Sequence, residues 1–152
     1  MNTRIAFDIG GVISKYPDQF FDLMTKLKNS GCDLFIITDM HNKDEVVEML
    51  VDNSFDKVVS KENVYCADYV KHGEMCKAVL LRDLQIDMFY DDFIGYLQWD
   101  SSFGPAPIRL LVQPDAFIPY YAKEWTCSGD FGRRVFTSPH RKEQHKDEGT
   151  DD

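Results

Sequence analysis

The sequence predicts an α/β protein, a three-layer sandwich in which helices cover both faces of a parallel β-sheet. Three observations lead there. Over the first two thirds of the chain, short apolar runs alternate with segments of helical periodicity, the pattern that builds parallel sheets through strand–helix–strand crossovers. Several of those runs end on an acid or a hydroxyl, at the strand ends beyond which such sheets hold their ligands. A chain of 152 residues with 43% apolar content also suits a single globular core.

Arg4 to Phe7 is a short strand that ends on Asp8. Phe20, Leu23, Met24 and Leu27 then recur at helical spacing, and Gly31 ends that helix. Asp33 to Ile37 reads as a buried strand closing at Thr38. Asn42 can cap the next helix, with Glu45 three residues on and Val46, Val47 and Leu50 as its apolar stripe. Lys57 to Val59 is expected as a third strand. Met75, Val79 and Leu80 mark a further helix reaching Leu84, and Met88 to Tyr90 run as a strand into Asp91 and Asp92. Ile108 to Val112 supply a fifth strand. Past Pro114 the pattern weakens, and the aromatic stretch 116–125 is expected to cover a sheet edge or one rim of the site. The domain is expected over 1–137. Ser138 to Asp152 is almost wholly polar or charged and reads as a disordered acidic tail.

Composition narrows the function classes. No run of eighteen apolar residues exists, so no membrane span is expected, and the N-terminus shows no signal-like stretch, which makes the cytoplasm the default location. Cys32, Cys66, Cys76 and Cys127 are scattered with no C-x-x-C pair, which argues against a structural zinc site and for reduced thiols. The net charge of −9 comes with no basic stripe, which disfavours nucleic acid as a partner. An acidic excess fits either a solvated surface or carboxylates gathered around a divalent cation.

The ends of the strands carry the chemistry. A carboxylate on a tight strand-end loop can attack a phosphoryl group, and Asp8 is followed by Gly10 and Gly11, which let the backbone fold closely around a ligand. The hydroxyl of Thr38 can donate to a phosphoryl oxygen, although alone it reads as a packing or capping residue. A lysine near a helix start could neutralise phosphate and nucleophile together; Lys77 is preferred and Lys71 is the competitor. Asp91 and Asp92 are adjacent like charges, which a divalent ion would relieve.

Asp-x-Gly-Gly-Val from Asp8 to Val12, the run into Thr38, Lys77 at a helix start and FYDD ending in Asp91-Asp92 together resemble, in order, the four motifs of the haloacid dehalogenase-like (HAD) superfamily. The resemblance covers about residues 4–97. It implies a Rossmann-like, HAD-like fold, with Asp8 as nucleophile forming an aspartyl-phosphate and Thr38 and Lys77 as its catalytic partners. It also implies a magnesium ion held by Asp8, the Gly10 carbonyl and Asp91 or Asp92, as magnesium favours oxygen ligands. Thirty residues separate Asp8 from Thr38 and thirty-nine separate Thr38 from Lys77, room for one helix or so in each gap and none for a cap domain. A cap-less site accepts large phosphorylated substrates, or is covered by a neighbour in a homo-oligomer.

One position departs from the pattern. Most phosphatases of the superfamily carry a second aspartate, the general acid, where this chain has Gly10. General acid–base help is worth about 10²–10⁴-fold. Asp39 and His41 are the nearest substitutes in sequence; otherwise the leaving group must be a good one, as in acyl or aryl phosphates. The alternative is a catalytically inactive module that keeps metal and phosphate binding. Response-regulator receivers place their acid pair first rather than last, and DIGGVIS lacks the G-x-G-x-x-G of a dinucleotide-binding turn.

Overall fold

The computed structural model describes residues 1–114 together with 116 and 117. Strands β1 (Arg4–Phe7), β2 (Asp33–Thr38), β3 (Val64–Cys66), β4 (Met88–Asp91) and β5 (Ile108–Leu111) form one five-stranded sheet in the order β3-β2-β1-β4-β5. All four pairings are parallel. Helices α1 (Pro17–Asn29), α2 (Lys43–Asp52), α3 (Tyr69–His72) and α4 (Cys76–Asp83) fill the connections. The expected α/β architecture is therefore present, as a Rossmann-like domain.

Side-chain alternation divides the core. Ile5, Phe7, Leu34, Ile36 and Val64 point to one face, where Phe20 and Met24 of α1 and Val46, Met49 and Leu50 of α2 pack on them. Ala6, Phe35, Ile37 and Phe89 point to the other, under Leu81 of α4 and Ile86. Strands β1 and β2 are buried on both sides, which is why they read as continuous apolar runs rather than alternating ones. The Phe7 ring stacks on Tyr90 at 4.9 Å between centroids, and Phe20 meets both edge-on. Tyr16, fully buried, donates its hydroxyl to the Pro114 carbonyl at 2.5 Å and so ties the segment after β5 to the start of α1.

Two expectations need correcting. Lys57 to Val59 is not a strand: Phe55–Lys57 is a 3₁₀ turn, and the third strand lies further on at Val64–Cys66. Val58 and Val59 are buried as loop residues in the core below α2, so their apolar character reports burial rather than pairing. Asn63 donates its side-chain amide to the Leu34 carbonyl, and the chain joins β2 just after it, with Val64 level with Ile36. The stretch from Thr38 to Lys77 also holds more than one helix, since α2, β3 and α3 all lie within it. The aromatic stretch beyond Phe117, Cys127, the expected domain end and the acidic tail lie outside the described residues. Among the described residues, no helix is long and apolar enough to cross a membrane.

The Asn42 cap is present, its side chain accepting from the Glu45 amide at 3.2 Å. Replacing Asn42 with Ala removes that acceptor, and we expect a loss of about 1 kcal/mol in urea-monitored unfolding. An unchanged midpoint would show that α2 is held by its apolar face alone.

Candidate functional site

Strand order decides where a ligand can sit. The connections after β1 and β2 build outward to one side, while β4 lies on the other side of β1, so the order reverses between β1 and β4. Open α/β sheets bind ligands outside the carboxyl ends of their strands at such a switch point. Phe7 pairs with Tyr90, and the Asp8 amide donates to the Tyr90 carbonyl at 2.9 Å, which brings Asp8 and Asp91 level on adjacent strands.

Between them stands Lys77, on the first turn of α4. Its ammonium donates to Asp8 Oδ1 at 2.8 Å and to Asp91 Oδ2 at 2.7 Å, with all three side chains buried. The Tyr96 ring lies beneath the same ammonium, 4.5 Å from Nζ to the ring centre, within cation–π range. Burial alone would lower the lysine pKa, but the carboxylates of Asp8, Asp91 and Asp39 outweigh it and hold the group above its ordinary value. Of the two candidates it is Lys77 that enters the cluster; Lys71 is exposed on α3.

Asp92 completes the group. Carboxylate oxygens of Asp8, Asp91 and Asp92 lie within 4.8 Å of one another. Three carboxylates against one ammonium leave a formal excess of two negative charges, which a divalent cation would offset. All-oxygen donors of this kind suit a hard cation such as magnesium. The turn after Asp8 is shaped for the same closeness. Gly11 has φ +74°, a strained conformation for any other residue, and a Cβ there would stand 2.0 Å from Asp92 Oδ2 and displace that carboxylate. Gly10, at φ −64° and ψ 131°, occupies backbone open to any residue. A positive φ is therefore not what requires glycine at this buried position.

Thr38 ends β2 in a buried position, where its hydroxyl accepts from the Met40 amide at 3.2 Å. The β1–β2 register sets it one residue further along than Asp8. Of the two suggested substitute acids, His41 is exposed, whereas Asp39 is buried and accepts from the Tyr96 hydroxyl at 2.6 Å. Tyr96 was not singled out from the sequence. Its one signal there is an aromatic four residues past the acid pair, in a segment without periodicity. Beside Lys77, burial pushes the Cys76 thiol up to about 11, so this cysteine is a packed side chain and not a nucleophile.

No family model matches the chain, and neither a curated protein nor a solved structure is significantly similar to it. What fold and site define together is a Rossmann-like α/β domain with a lysine-bridged acidic cluster at its switch point.

Removing the bridge tests how the cluster is held. Lys77→Met leaves Asp8 and Asp91 facing each other without their shared cation, and we expect a loss of about 3–5 kcal/mol in denaturant unfolding. Because the folded-state pKa of Lys77 is raised, its contribution is fully present below the ordinary lysine value and is lost only as pH rises through the higher one. The penalty should therefore be the same at about pH 7 and about pH 9. A penalty that shrinks over that interval would show that the ammonium is not held as described.

Proposed function

We propose that the chain is a magnesium-dependent phosphohydrolase, a cap-less, HAD-like enzyme that works through an aspartyl-phosphate on Asp8. The supporting observation is the meeting of Asp8, Asp91 and Asp92 with Lys77 beyond the ends of β1 and β4. In this reading Asp8, Asp91, Asp92 and the Gly10 carbonyl hold the cation. When bound, it neutralises the phosphoryl oxygens and orients them for in-line attack.

The chain's own residues then divide the work. An Asp8 carboxylate oxygen attacks phosphorus, the bond to the leaving oxygen breaks, and the electron pair departs with that oxygen. Lys77 fixes the orientation of Asp8 and offsets charge that would otherwise repel the phosphate. Thr38 donates its hydroxyl proton to a phosphoryl oxygen while its lone pair accepts from Met40. Water attacks the aspartyl-phosphate, phosphate leaves, and Asp8 is regenerated. No acid stands at Gly10 to protonate the leaving oxygen, so phosphates with stable leaving anions, aryl or acyl phosphates, are the favoured substrates. A cap-less domain would accept a bulky phosphorylated substrate, or a second copy of the chain over the site, once the buried Asp8 carboxylate is uncovered. The acidic charge of −9 keeps nucleic acid low among such substrates.

Turnover of an aryl phosphate with magnesium, measured for the native chain and Asp8→Asn, tests the reading. Activity that falls to background in the variant supports it. Cation binding without turnover across a panel of aryl, acyl and alkyl phosphates would overturn it in favour of a phosphate-binding module. Because the φ and ψ of Gly10 are ones that any residue adopts, Gly10→Asp should restore acid help. We expect it to raise alkyl phosphate turnover by about 10²–10⁴-fold while changing aryl phosphate turnover far less.

A further inference from the structure

The lysine-bridged cluster contains a competitor. Asp39, next to Thr38 at the end of β2, is a buried carboxylate whose field also acts on Lys77. The ammonium donates to Asp8 Oδ1 and Asp91 Oδ2, and its Nζ lies 4.5 Å from the centre of the Tyr96 ring. The hydroxyl of that same ring donates to Asp39 Oδ2 at 2.6 Å. Tyr96 thus occupies both sides of a choice, seating the ammonium on its face and engaging the extra carboxylate at its edge. It is itself fully buried, and a T-shaped contact with Phe93 at 5.1 Å fixes the ring plane. The Phe93 amide donates to Asp91 Oδ1, so the segment that carries Tyr96 is anchored on the same carboxylate that Lys77 grips.

We propose that Tyr96 is a positioning residue: its hydroxyl engages Asp39, which leaves the Lys77 ammonium to Asp8 and Asp91. Only the Mn²⁺ consequence rests on the metal-dependent reading above; the placement of Lys77 does not. Without the hydroxyl, Asp39 keeps its charge and loses this donor, and its attraction for the Lys77 ammonium then acts unopposed by that hydrogen bond. As the ammonium moves toward Asp39, its hold on Asp8 and Asp91 weakens. Those two carboxylates then become better ligands for an added cation.

The full chain, labelled with ¹⁵N, tests this in Tyr96→Phe and in the double variant Asp39→Asn/Tyr96→Phe. Phenylalanine keeps the ring, so the single variant should fold, and asparagine removes the charge that would draw Lys77 away. The first readout is the side-chain ammonium resonance of Lys77, visible where a buried, fully bonded ammonium exchanges slowly with water. We expect it to shift or vanish in Tyr96→Phe and to return in the double variant. The second is Mn²⁺ titration without substrate, in which Tyr96→Phe should bind at least about tenfold more tightly as a like charge moves away from the site. A purely structural role would weaken Mn²⁺ binding instead, and the double variant would not restore it. An unchanged ammonium resonance in Tyr96→Phe overturns the inference. If the native chain binds no Mn²⁺, the metal-dependent reading above falls, while the ammonium resonance still decides the role of Tyr96.

Discussion

The site is organised by one buried ammonium between two buried carboxylates. Bringing Lys77 out of water is costly, and a lysine alone in such a place would shed its proton; Asp8 and Asp91, at 2.8 and 2.7 Å, reverse that tendency. Buried pairs of this kind contribute little net stability compared with well-packed apolar side chains, since the desolvation of each ion offsets much of the attraction. Their usual value lies in specificity. Here the ion triad fixes the start of α4 against the ends of β1 and β4, and so determines which way the first turn of that helix faces. A hydrophobic side chain at position 77 could fill the space but could not aim the Asp8 carboxylate.

The surrounding scaffold makes that arrangement possible through register. Asp8 and Asp91 are brought level by the parallel pairing of β1 with β4, and the same alternation that buries Ala6 and Phe89 under α4 turns both acids toward Lys77. Gly11 contributes by what it lacks. With no Cβ it lets the Asp92 carboxylate come against the backbone of the turn, which adds a third acid to a cluster that already repels itself. The sheet thus holds together charges that would separate in a free chain, a surplus that a divalent cation could offset.

Much of this was legible in the sequence because it depends on local order. The strand ends at Asp8, Thr38 and Asp91, the cap at Asn42 and the helix with Lys77 in its first turn each follow from short runs whose period or punctuation decides their structure. The segment at Val58 and Val59 misled for the opposite reason: two buried valines look alike in a strand and in a packed loop, and only the pairing of Val64 with Ile36 tells them apart. Lys77 alone reads as a surface lysine, and Asp39 as a loop residue. Their burial follows from contacts across the fold, which no local pattern encodes. Tyr96 was out of reach on the same ground, since its role is a meeting of three segments, at Asp39, Lys77 and Phe93.

For the proposed phosphohydrolase, the absence of an acid at Gly10 is the feature that most constrains the chemistry. Asp39 is the only suggested substitute that the fold buries near Lys77, and its position argues against the part. It accepts a hydrogen bond from Tyr96, whose own pKa is raised by burial and by that bond, so the pair keeps its proton on the phenol. A general acid must hold a proton and release it to a leaving oxygen, and an acceptor locked onto a reluctant donor does neither. Asp39 therefore belongs to the electrostatic frame around Lys77 rather than to proton transfer. In the proposed phosphoryl transfer, the charge that develops on a departing oxygen would then be carried by the leaving group itself, which would favour stable aryl or acyl leaving anions over alkoxides.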